Sequence, residues 1–144
     1  MGGFGFDAST FSLLMAVLIV GVLIFISISF SQIKSHKFDT ADYQYLWMRI
    51  ENTLQRENEL SYNTVVVEAD KLLDKALCEM GTPGKTMRER IKRVGHKFSA
   101  LNSVWYAHKL RNQIAHEPGF KLKYEQAKNA LKTFKQALKD LGAV

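Results

Sequence analysis

Six residues, Arg111-Asn112-Gln113-Ile114-Ala115-His116, put a guanidinium, an amide and an imidazole close together, and Glu117-Pro118-Gly119 follows at once. Asn112 and His116 are four apart, so on a helix they share a face. Arg111 lies further round the helix, but its side chain is long enough to swing toward the same end. A guanidinium holds and neutralises phosphate oxygens. An imidazole that titrates near neutrality can move the proton of a ribose 2'-hydroxyl. Those are the groups that RNA cleavage without a metal requires. The same residues also fit an ordinary helix end, with Asn112 exposed and His116 near the last carbonyls as a C-terminal cation.

Other residues around the motif have their own chemistry. His108, Asn112 and His116 form an i, i+4, i+8 line. Two histidines eight apart on a helix are separated by about 12 Å along its axis, too far to share one metal ion. The chain has neither a C-x-x-C nor an H-x-x-x-H spacing, so no zinc ligand set and no cofactor is implied. His108 reads as a packed or solvated histidine, or as a second phosphate contact. Tyr106 and Lys109 are candidate RNA contacts on other faces, and Trp105 suits a core better than a base-stacking platform. Gly81-Thr82-Pro83-Gly84-Lys85-Thr86 ends like a phosphate-binding loop, but Glu79 stands where its first glycine should be, and a helix replaces the launching strand.

The elements that must position these groups are helical. Asp39 or Thr40 caps a first helix running to about Glu57, with Tyr43, Leu46, Trp47, Ile50 and Leu54 as its apolar stripe. Ser61 or Asn63 opens a second, whose stripe is Val65, Val66, Ala69, Leu72, Leu73, Ala76, Leu77 and Met80. Gly81 ends it, and Thr82-Pro83-Gly84 is a turn. Thr86-Met87-Arg88-Glu89 is a capping box for a short helix closed by Gly95. Ser99 caps the motif helix, where Leu101, Val104, Trp105, Leu110 and Ile114 are available for packing. The last helix spans about Lys123 to Leu141, with Ala127, Ala130, Leu131, Phe134, Ala137, Leu138 and Leu141 inward. No segment alternates like a strand. The expectation is all-α: four long helices in an up-and-down bundle with a short extra helix. Cys78, the single cysteine, is expected on the apolar side as an inert small hydrophobe.

Before the bundle, Phe11 to Phe30 is free of charge and proline, and uncharged residues extend from Ala8 to Ile33. Twenty helical residues cover about 30 Å, a bilayer's hydrocarbon thickness. A cleaved signal peptide would need a basic n-region, and the only charge ahead of this stretch is Asp7. The layout expected is a short extension over 1–10, a transmembrane helix over 11–33, a juxtamembrane linker over 34–39 and the bundle over 40–142. Lys34 and Lys37 follow the span, which places the C-terminal part in the cytoplasm and the short N-terminus outside.

Charge separates the rest into halves. Residues 34–84 hold six basic and nine acidic side chains, a net of −3, whereas residues 85–139 hold fourteen and three, a net of +11. Such a field collects polyanions such as RNA. Solvated helix faces beside an anionic membrane would carry the same charge.

The R-N-x-x-x-H spacing, with the helices from roughly Thr40 to Gly142, resembles the HEPN family (higher eukaryotes and prokaryotes nucleotide-binding domains), all-helical modules that often act as ribonucleases. The resemblance implies a four-helix bundle with the motif near the end of its third long helix. It implies a homodimer whose motifs face each other across a cleft, so that a partner supplies a second imidazole and arginine. Arg111 would bind the scissile phosphate, Asn112 would orient imidazole or phosphate, and His116 would act as base or acid. A helix C-terminus stabilises charged imidazole, which suits a proton donor. The products would be a 2',3'-cyclic phosphate and a 5'-hydroxyl from single-stranded or loop RNA. The alternative is a non-catalytic membrane-anchored module that binds RNA or a protein, including a nucleotidyltransferase-type antitoxin of a toxin–antitoxin pair. A helical scaffold with a basic face for lipid headgroups is a third reading.

Overall fold

The computed structural model describes residues 8–31 and 36–144. The extension expected over 1–10 therefore lies outside the described residues as far as residue 7, as do Gln32 and Ile33 of the expected span and Lys34 and Ser35 of the expected linker. The chain divides into two compact units, 1–34 and 35–144.

Among its described residues the first unit is one helix, α1 (Ala8–Ser31). Its stretch Ala8–Ile26 has a mean hydropathy of 2.7 and none of it is buried. It starts three residues earlier than the expected span, because Ala8, Ser9 and Thr10 are uncharged and continue the helix. One N-terminal helix is thus long and apolar enough to cross a membrane.

The second unit is all helical among its described residues: α2 (Thr40–Thr53), α3 (Glu59–Glu79), α4 (Met87–Val94), α5 (Leu101–His116) and α6 (Tyr124–Leu141). The four long helices and the short α4 form the expected helical bundle. The central member is α3, which packs on α2, α4, α5 and α6, and α6 also packs on α5. All eight residues of its expected stripe are buried, as are Ala127, Ala130, Leu131, Phe134, Ala137 and Leu138 of α6. Each fully buried leucine or valine in this core contributes roughly 2 kcal/mol. On α2 only Tyr43 and Trp47 are buried, because that helix lies against the side of the bundle. The Tyr43 hydroxyl donates to Glu79 Oε2 at 3.0 Å. Burial, then that hydrogen bond and the nearby negative charge, push the phenol above its ordinary range.

Helix ends depart from expectation where side chains compete. Asn58, rather than Ser61 or Asn63, caps α3 through Ser61 N–H, and α2 ends at Thr53 instead of near Glu57. Thr86 accepts from Glu89 N–H as expected, but Glu89 reaches back to Lys85 N–H. Cys78 is exposed, since it lies one step round α3 from Leu77 and past the edge of the stripe.

Ser99 is not the cap of α5. Its N–H and its hydroxyl both donate to Asp140 Oδ2, at 2.7 and 2.8 Å, which ties the start of α5 to the end of α6. Burial resists ionisation of Asp140, but the Ser99 N–H, the Gln136 amide and the Ser99 hydroxyl outweigh it and hold the carboxyl below its ordinary 3.8. With the folded value lowered, the stabilisation is complete above the ordinary carboxyl value and is lost as pH falls through the lowered one. Asp140→Ala should cost about 1 kcal/mol at neutral pH. Its difference from the wild type in urea denaturation should shrink as pH drops below 3.8.

Candidate active site

The motif helix is α5, and it ends at His116 as the sequence leads one to expect. Glu117 N–H closes onto Gln113 O at 2.9 Å, and Gly119, at φ 82°, carries the chain away in a conformation that favours glycine. Along α5, Val104, Ala107 and Leu110 are buried and face α3 and α6. That seating turns His108, Arg111 and Asn112 toward a neighbouring groove instead of the core.

The groove has a volume of about 460 Å³ and lies between α3, α5 and the start of α4. Five cations line it, Lys71, Lys85, Arg88, Arg90 and Arg111, against two carboxylates, Asp70 and Asp74. His108 and Asn112 complete the α5 wall. The excess of positive charge in a concave site suits a polyanion.

Two of those groups are engaged in folding. Arg90, 9% exposed, donates to Asp74 from both Nε and an Nη at 2.7–2.9 Å and from its other Nη to the Gly84 carbonyl at 2.7 Å. Gly84 has φ 150°, and a Cβ there would lie 3.1 Å from the Arg90 backbone nitrogen. The Gly81–Thr86 segment is therefore a clamp for Arg90, in keeping with the turn read from Thr82-Pro83-Gly84.

The other polar cluster centres on Asp70, 4% exposed on the bundle side of α3. Its Oδ1 lies 2.8 Å from His108 Nδ1. Its Oδ2 lies 3.5 Å from Arg111 Nε, an ion-pair distance without hydrogen-bond alignment. Arg111 also donates to Asn112 Oδ1 at 3.2 Å. A carboxylate only accepts, so His108 Nδ1 carries the hydrogen, and the tautomer with a lone pair has it on Nε2. The ring forms a T-shaped pair with Trp105 at a centroid distance of 6.5 Å.

The structure thus brings together Arg111, Asn112 and His108 from the sequence candidates. His116 is exposed at the last position of α5 and does not line the groove. Tyr106 and Lys109 are exposed on another face of the helix, also away from the groove. Asp70 was not foreseen. A signal for it exists: it falls four residues after Val66 and three before Leu73, so a carboxylate stands on the apolar face of a helix, where it needs a partner.

No family model matches the chain, and neither curated proteins nor solved structures give a significant match.

Proposed function

We propose that the chain is a membrane-tethered, HEPN-like endoribonuclease that cleaves single-stranded RNA through its 2'-hydroxyl, acting as a homodimer. The observation that carries this reading is the pairing of Arg111 with Asn112 at the wall of a groove rich in cations. Arg111 neutralises the non-bridging oxygens of the scissile phosphate. Asn112 holds the guanidinium in place and offers its amide N–H to the same phosphate. His116 of the second copy in the dimer, at a helix C-terminus where positive charge is favoured, donates a proton to the departing 5'-oxygen. Products are a 2',3'-cyclic phosphate and a 5'-hydroxyl, and no cofactor takes part.

The test uses the full chain in detergent micelles with a labelled single-stranded RNA and EDTA. Cleavage that leaves cyclic phosphate ends supports the proposal. RNA binding without cleavage turns the reading to a non-catalytic binding module, for which a nucleotidyltransferase-type antitoxin is a candidate partner. Neither binding nor cleavage overturns it and leaves the basic half to lipid headgroups.

In this reading α1 crosses the membrane and the bundle faces the cytoplasm, in keeping with Lys37 just after the apolar stretch. Cys78 offers a direct check, since it is the single cysteine and is exposed on the bundle. A maleimide that cannot cross membranes should label it in lysed cells and leave it unlabelled in intact ones. Labelling in intact cells would reverse the orientation.

A further inference from the structure

From the Asp70–His108 pair we infer that His108 is the general base of RNA cleavage, taking the 2'-hydroxyl proton on Nε2, with Asp70 as its positioning residue. The inference rests on the ribonuclease reading above and extends it, since the base then lies in the groove beside Arg111, while the acid, His116, which lies outside that groove, comes from the second copy in the homodimer. A histidine serving only the fold would have both ring nitrogens satisfied or closed off. Here Nδ1 is held by a carboxylate at 2.8 Å that is itself 4% exposed. Nε2 has no hydrogen-bond partner among the described residues, the side chain keeps 12% of its exposure, and the residue lines the groove. A buried carboxylate that fixes the tautomer and aims the free nitrogen is how an acid–base histidine is oriented.

The placement fits the substrate as well. His108, Arg111 and Asn112 are at i, i+3 and i+4 on α5, so one helix face carries the base and both phosphate contacts. In the step, His108 Nε2 removes the 2'-hydroxyl proton as the 2'-oxygen bonds to phosphorus. The bond from phosphorus to the 5'-oxygen breaks with its electron pair, and that oxygen takes its proton from His116 of the second copy in the proposed homodimer. The imidazolium formed on His108 is stabilised by Asp70 and returns its proton to water.

The test uses the full chain in detergent micelles and two RNAs, one ordinary and one with sulfur in place of the 5'-oxygen at a single linkage. A thiolate leaves without being protonated, so this RNA bypasses a missing acid and not a missing base. His108→Gln should lower cleavage of the ordinary RNA by about 100-fold or more, with RNA affinity nearly unchanged. The sulfur should leave that defect in place while it rescues His116→Ala. Asp70→Asn, which keeps the acceptor, should lower kcat with KM little changed, and it decides the matter if His108→Gln does not fold. Wild-type rates for His108→Gln would overturn the inference and leave the ribonuclease reading standing. Rescue of His108→Gln by sulfur would make His108 the acid and overturn its role as base. A wild type that cuts neither RNA would remove both readings.

Discussion

Arg111→Ala should lower the single-turnover rate of RNA cleavage by about 10²–10³-fold, the usual cost of losing one preorganised donor to a developing phosphorane charge. The effect should fall on the chemistry and leave the fold in place. The Arg111 side chain retains 31% of its exposure, and its contacts are one hydrogen bond to Asn112 and a loose approach to Asp70. Asp70 is buried, but its approach to Arg111 is the longer of its two contacts, and it keeps His108 at 2.8 Å when Arg111 is lost, so the cost to stability should stay small. Arg111→Lys should recover only part of the rate, since a single ammonium cannot grip two phosphate oxygens in one plane. Circular dichroism melts alongside the kinetics would separate the effects. A melt that collapses along with the rate would assign Arg111 to the scaffold instead.

Arg90→Ala should do the reverse and destabilise the bundle by about 3 kcal/mol, because it leaves Asp74 without its partner at the edge of the core. For a bundle of this size that corresponds to a fall in Tm of roughly 10–20 °C. Arg90 and Arg111 line the same groove, yet Arg90 already has three acceptors within 2.9 Å in Asp74 and Gly84. Replacing the pair together, Arg90→Met with Asp74→Leu, should recover most of the loss, since apolar side chains of similar volume remove the unpaired charge. Chemical denaturation of the three proteins measures both effects. A stable Arg90→Ala protein with weakened RNA affinity would show instead that Arg90 belongs to the binding surface.

Much of this architecture was legible from residue spacing. The apolar stripes on α3 and α6 are regular and long, so period and burial agree at nearly every position. The end of α5 at His116 was readable because Pro118 and Gly119 stop a helix for local reasons. What stayed hidden depends on contacts between distant segments. Asp140 displaced Ser99 from its expected capping role through a bond across 41 positions. The Asp70–His108 pair spans 38 positions, and no short motif joins the two residues. Leu46 and Ile50 were read as core but are only half-buried, because a stripe shows which residues share a face and not how deeply that face is covered. His116 was read with Arg111 and Asn112 as one catalytic set, and it lies outside the groove that the other two line.

Asp70 and Asp74 are one helical turn apart on α3. One holds the α5 wall of the groove through His108, and the other holds the α4 wall through Arg90. Both walls are thus pinned to a single turn of the most deeply embedded helix, and neither can swing without breaking a charged contact. A cleft braced in this way is set in advance, and if it takes RNA as proposed, association with a flexible strand should proceed in one kinetic phase, with adjustment falling to the nucleic acid rather than to the protein.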